Sequence, residues 1–140
     1  MRFLLDTTIL SELAKHAPHP AVTEWAQQQS PLDLAISVLT LGELTKGAQS
    51  LTSGDRRSQV TEWIANELPR QFSGRVLHVD AAVANEWGRL SAEAKARGRE
   101  LPVIDGILLA TASVHRLVFA TRNESDCAAR GVEILNPWSS

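Results

Sequence analysis

Arg2-Phe3-Leu4-Leu5-Asp6-Thr7-Thr8 is a short unbroken apolar run that stops at an aspartate followed by two hydroxyl residues. An apolar run without polar alternation suits a strand buried on both faces, as in a parallel sheet covered by helices. An acid directly after such a strand lies at its carboxyl end, where open α/β sheets form their ligand crevice. Taken alone, Asp6 reads more simply as a cap for the next helix, because Asp and Thr are favoured N-caps. The rest of the chain decides between the two.

The pattern of strand, polar turn and helix recurs. Asp33–Ser37, Arg75–Val79, Leu117–Ala120 and Gly131–Leu135 read as further strands. A helix over Thr8–Lys15 has Ile9, Leu10 and Leu13 inward, and a second carries Val22, Trp25 and Ala26. Thr40-Leu41-Gly42-Glu43 has the form of a capping box and opens a helix running toward Gly47. Val60, Trp63, Ile64 and Leu68 recur at helical spacing, as do Val83, Trp87, Leu90 and Ala94 after Asp80. Pro102 starts the helix Val103–Ala112, which is apolar almost all round and so is expected to be buried. Strands separated by helices indicate an α/β fold with a mainly parallel sheet of about five strands.

The totals agree with one domain over residues 1–140, large enough for a hydrophobic core. Fourteen basic against sixteen acidic side chains leave a formal charge of -2, which excludes a histone-like polycation. Cys127 is the sole cysteine, so neither an internal disulfide nor a cysteine zinc site is expected, and a reducing, cytoplasmic setting fits. The first apolar run breaks at Asp6, too soon for a signal peptide, and nothing approaches the ~18 apolar residues of a membrane span.

Parallel strands place all their carboxyl ends on one edge. Asp6 follows the first strand, Glu43 lies in the turn after the second, and Asn123, Glu124 and Asp126 lie in the loop after the fourth. The helix feeding a parallel strand runs antiparallel to it, so its first turn, with Asp105, starts at the same edge. A carboxylate in so apolar a helix is costly unless paired. The helix N-terminus offers up to ~2 kcal/mol, modest against crowding by other acids. Like charges held together either raise one pKa or recruit a cation. Oxygen ligands without His or Cys favour Mg²⁺ or Mn²⁺. Such a centre serves in-line displacement at phosphorus, so phosphodiester hydrolysis is expected, with Asp6, Glu43 and Asp105 as ligands or water-orienting groups.

Four segments also resemble, in order, the four motifs of PIN-domain ribonucleases: Leu5-Asp6-Thr7-Thr8, Ser37-Val38-Leu39-Thr40-Leu41-Gly42-Glu43-Leu44, Ile104-Asp105-Gly106 and Ala120-Thr121-Arg122-Asn123. The closing Val132-Glu133-Ile134-Leu135-Asn136-Pro137-Trp138 is similar to the VapC/FitB branch, the toxins of type II toxin–antitoxin pairs. The resemblance implies a three-layer α/β/α sandwich, a homodimer, and Mg²⁺- or Mn²⁺-dependent RNA endonuclease activity. It also implies a small antitoxin whose tail blocks the active-site groove. Carried over by position, Asp6, Glu43 and Asp105 are the core acids. Asp126 is the metal-side fourth acid and Asn123 a polar helper, while Thr7, Thr121 and Arg122 are candidates to hold phosphate or water. Thr8 stands where that family usually has Asn, which bears on how Asp6 is oriented.

Rival readings are a phosphoacceptor domain and a catalytically impaired PIN-like module acting through a partner. The first lacks an Asp-x-Asp after strand one and a lysine in Thr121–Asp126. Ser113 and His115 do not face each other on a helix, so nucleophilic catalysis is not expected. Lys95, Arg97 and Arg99 read either as a solvated helix end or as a track for an RNA backbone.

Overall fold

The computed structural model describes residues 1–139. In chain order it comprises β1 (Phe3–Leu5), α1 (Thr7–Leu13), α2 (Pro20–Gln27), β2 (Leu34–Ser37), α3 (Val38–Gln49) and α4 (Gly54–Glu62). There follow α5 (Leu68–Gln71), β3 (Val76–Leu77), α6 (Ala81–Ala96), α7 (Val103–His115), β4 (Val118–Ala120), α8 (Glu124–Cys127) and β5 (Ile134–Leu135). The strands form one sheet in the order β3-β2-β1-β4-β5, and every pair is parallel.

Side chains alternate across the sheet and both faces are covered, which is why the strands read as unbroken apolar runs. Leu4, Ala35 and Phe119 point into one cluster with Val83, Leu90 and Leu108 of α6 and α7. Phe3, Leu5, Ile36 and Ala120 point into the other, with Ile9, Val22, Leu44 and Leu68 from the helices opposite. The result is the α/β/α sandwich expected. Its register sets the site: Leu5 pairs with Ala120, so Asp6 and Thr121 leave neighbouring strands side by side.

Several details differ from the sequence reading. The capping box at Thr40 and Glu43 does not form. Ser37 is the cap, its hydroxyl accepting from Leu39 N at 3.0 Å, because the extended backbone turns into helix three residues earlier. Glu43 therefore lies in the second turn of α3, not the first. Between α4 and α5 the helix widens into a π-turn at Trp63–Glu67, where Leu68 N–H reaches back to Trp63. Pro69 is the cause: it lacks an N–H and crowds the carbonyl four residues earlier. β3 and β5 are two residues each, shorter than expected, and the loop after β4 holds the single turn α8.

Candidate active site

Asp6 is 5% exposed and begins α1 with an extended backbone, but its side chain caps nothing. Its Oδ2 instead accepts from Thr121 Oγ1 at 2.7 Å and Thr8 Oγ1 at 3.0 Å. Thr121 is fully buried, and its oxygen accepts from Asn123 N at 3.1 Å. The hydroxyl of Thr8, the residue that departs from the resembled motif, thus holds Asp6. The capping explanation of Asp6 fails, and the carboxylate is tied across two strand ends instead.

Glu43 accepts at Oε1 from Thr7 Oγ1, 2.5 Å away, and Thr7 also meets the buried Thr40 hydroxyl at 3.0 Å. Asp105 lies in the first turn of α7. Asn123 Nδ2 donates to Asp105 Oδ2 at 2.8 Å and to Asp126 Oδ2 at 3.0 Å. Gly106 lets α7 come this close to α6: a Cβ there would meet Trp87 Cδ1 at 3.0 Å and Nε1 at 3.1 Å. In sequence alone Gly106 carries no such role, and Thr40 has the pattern of a cap. Both owe their importance to partners distant in sequence.

The acids act on one another. Burial pushes the Asp105 carboxyl above its ordinary pKa, the Asp6, Asp126 and Glu43 charges push the same way, and Asn123 opposes them. Burial first, then Asp105, Asp6 and Asp126, push the Cys127 thiol up to about 12, so it is an inert packing group. No lysine or arginine makes a salt bridge with these four acids among the described residues.

Each acid has one oxygen tethered and one without a hydrogen-bond partner among the described residues: Asp6 Oδ1, Glu43 Oε2, Asp105 Oδ1 and Asp126 Oδ1. Among the described residues no buried polar side-chain atom is unsatisfied, so these four oxygens reach solvent. Uncompensated, oxygen-only and anionic, the set suits a hard divalent cation in its chemistry. As they stand, no three acid, imidazole or thiol groups among the described residues are gathered tightly enough to enclose an ion.

The expected contacts divide. Thr7 and Thr121 hold acids. Arg122, exposed and next to Thr121 in the chain, stacks on Trp138, its guanidinium carbon 5.2 Å from the ring centre. Arg99 donates to the carbonyls of Ala128 and Ser125, both at 2.6 Å, and so is a brace for α8. Lys95 and Arg97 stay exposed. Arg130, buried, donates to the Asp126 carbonyl at 2.6 Å and fixes the same turn from behind.

Known proteins are similar to this chain over nearly its whole length. The chain is 36% identical over 135 residues to a VapC ribonuclease, Y4jK, of Sinorhizobium fredii, covering 96% of both chains. It is 33% identical to toxin FitB of Neisseria gonorrhoeae, covering 96% of this chain and 97% of FitB. The crystal structure of FitAcB from Neisseria gonorrhoeae superposes with a TM-score of 0.94 at 32% identity, covering 99% of each chain. The PIN-domain family model matches residues 3–130, so the chain belongs to the PIN-domain family, in the branch of its VapC and FitB members.

Proposed function

We propose that the protein is a metal-dependent RNA endonuclease, the toxin of a type II toxin–antitoxin pair, acting as a single PIN-like domain. The observation that carries this reading is the set of four solvent-reaching carboxylate oxygens, with no lysine or arginine paired to these acids among the described residues. Asp6, Glu43, Asp105 and Asp126 would hold Mg²⁺ or Mn²⁺. Bound there, the ion supplies charge stabilisation at phosphorus and a water of lowered pKa.

The chain's own residues do the rest. Thr121 and Thr8 fix Asp6, Thr7 fixes Glu43, and Asn123 holds Asp105 and Asp126 apart yet adjacent. Binding requires Asp105 to be ionised, so its raised pKa opposes ion binding at low pH. Arg122, exposed beside Thr121 in the chain, is the cationic group assigned to a phosphodiester backbone. The ribonuclease and toxin names of the relatives support RNA as the substrate and toxicity as the outcome.

For the antitoxin we propose a groove of about 700 Å³ that starts at Glu43. Leu10, Leu13, Leu44, Val60 and Trp63 line it, with Arg56 at its edge, which suits an apolar segment carrying an acid. Solved relatives include a toxin–antitoxin complex from Klebsiella pneumoniae, which supports such a partner. A homodimer is proposed on the apolar pair Val103 and Ile104, 59% and 37% exposed on α7. No helix among the described residues is long and apolar enough to cross a membrane, and the lone thiol of Cys127 suits the cytoplasm.

The test is cleavage mapping on total cellular RNA with Mg²⁺, comparing the native chain with Asp105→Asn and with an EDTA control. Discrete cuts made only by the native chain with metal are expected. Equal cutting by Asp105→Asn would remove the acidic site from the reaction, and no cutting by either would leave an inert binding module.

A further inference from the structure

We propose that Thr40 is a positioning residue for Glu43, acting through Thr7. Thr40 is fully buried in the first turn of α3, and Thr7 is the first residue of α1. The Thr7 hydroxyl stands 3.0 Å from Thr40 Oγ1 and 2.5 Å from Glu43 Oε1.

Proton counting gives this chain a direction. A hydroxyl has one proton, and an ionised carboxylate accepts only. Thr7 therefore donates to Glu43, which leaves Thr40 to donate to Thr7. The order Thr40 to Thr7 to Glu43 is the one assignment that satisfies all three groups. It fixes Oε1 and leaves Oε2 turned to the acidic rim.

Thr40 differs from other helical threonines in the molecule. Thr45 and Thr111 donate back to the carbonyls of Leu41 and Ile107, both at 2.8 Å. For Thr40 the residue four back is Ile36, in β2, and among the described residues its hydroxyl is bonded to Thr7 alone. A valine would fill this buried position without an unsatisfied hydroxyl. The hydroxyl is thus accounted for by what it orients, across 33 residues of sequence.

The catalytic consequence rests on the nuclease reading above, and the orientation of Glu43 is measurable without it. The variants are Thr40→Val and Thr40→Ser in the full chain. Three quantities are read: Mn²⁺ affinity by calorimetry, kcat and KM on a single-stranded RNA, and the Glu43 ¹³Cδ resonance, assigned with Glu43→Gln. Thr40→Val is expected to keep the fold, weaken Mn²⁺ binding and lower kcat, each roughly five- to tenfold, the scale of one hydrogen bond to a charged group's donor. KM should be unchanged, the resonance should move, and Thr40→Ser should restore all three.

Native values in Thr40→Val, or no restoration by Thr40→Ser, would overturn the proposal. If Thr40→Val does not fold, Thr40→Ala takes its place under the same two criteria. A native chain that cuts no RNA would sink the nuclease reading, while the Glu43 resonance would still decide the role of Thr40.

Discussion

Asn123 donates through its side-chain nitrogen to Asp105, 18 residues earlier in the chain, at 2.8 Å. The second proton of that nitrogen reaches Asp126 at 3.0 Å, so one neutral amide separates two acids. Asn123→Asp keeps the shape, removes both donors and adds a negative charge. Without divalent ions the variant should lose about 1–3 kcal/mol, since two carboxylates lose a partner. Mn²⁺ should return most of it by binding the folded state. Urea denaturation with EDTA and with Mn²⁺ checks this. An equal loss in both would mean that the amide does not bridge an ion-binding pair.

The pH dependence follows from Asp105. Its raised folded pKa means that the folded chain holds this proton more tightly than the unfolded chain. The contribution to stability is fully present below the ordinary aspartate value of 3.8 and is lost as pH rises through the folded pKa. Glu12 and Glu86, whose pKa values Lys15 and Arg89 lower first, act oppositely, and their stabilisation is lost as pH falls below 4.5. They cancel in a difference curve against Asp105→Asn. In EDTA that variant should gain on the native chain from acid pH upward and then hold a constant lead. A flat difference curve, measured by thermal unfolding, would show Asp105 to be unperturbed.

Much of this was legible in the chain because it is local or periodic. Leu4-Leu5-Asp6 announces a buried strand ending in an acid, and the apolar helix around Asp105 announces a carboxylate out of place. Parallel topology then brings the acids to one edge without any knowledge of contacts. What the chain hides is tertiary. Ser37 outcompetes Thr40 as a cap because the strand ends there, and the Thr40 hydroxyl is thereby released to Thr7. Pro69 is visible, but not whether the helix would break or widen. Gly106 looks permissive until Trp87 is known to lie against it.

Thr121 and Thr8 both donate to Asp6 Oδ2, from opposite degrees of burial. Thr121 is fully enclosed and Thr8 exposed, so water can replace Thr8 but not Thr121. Thr121→Val should cost about 1–3 kcal/mol, and Thr8→Ala a few tenths. Thr8→Asn should keep a donor and bind Mn²⁺ within about twofold of the native chain. Chemical denaturation and calorimetry measure the three. A Thr8→Ala loss as large as that of Thr121→Val would contradict the burial argument.

Gly106→Ala sets two known effects against each other beside Asp105. Alanine in a helix interior gains about 1 kcal/mol over glycine. The added methyl meets Trp87 at 3.0 and 3.1 Å and Leu101 at 3.3 Å, and overpacking of this kind costs about 1–3 kcal/mol. The net stability change should therefore be small, a loss of about 2 kcal/mol at most. Function should suffer more, because relief requires α7 to lift from α6, and Asp105 is the adjacent residue. Mn²⁺ affinity should fall while the thermal midpoint moves little. Trp87→Val removes the ring atoms beyond Cγ that the methyl strikes, so the double variant should recover Mn²⁺ binding. Direct neighbours couple in a double-mutant cycle and independent sites add. Additive losses from Gly106→Ala and Trp87→Val would show that this close approach does not position Asp105.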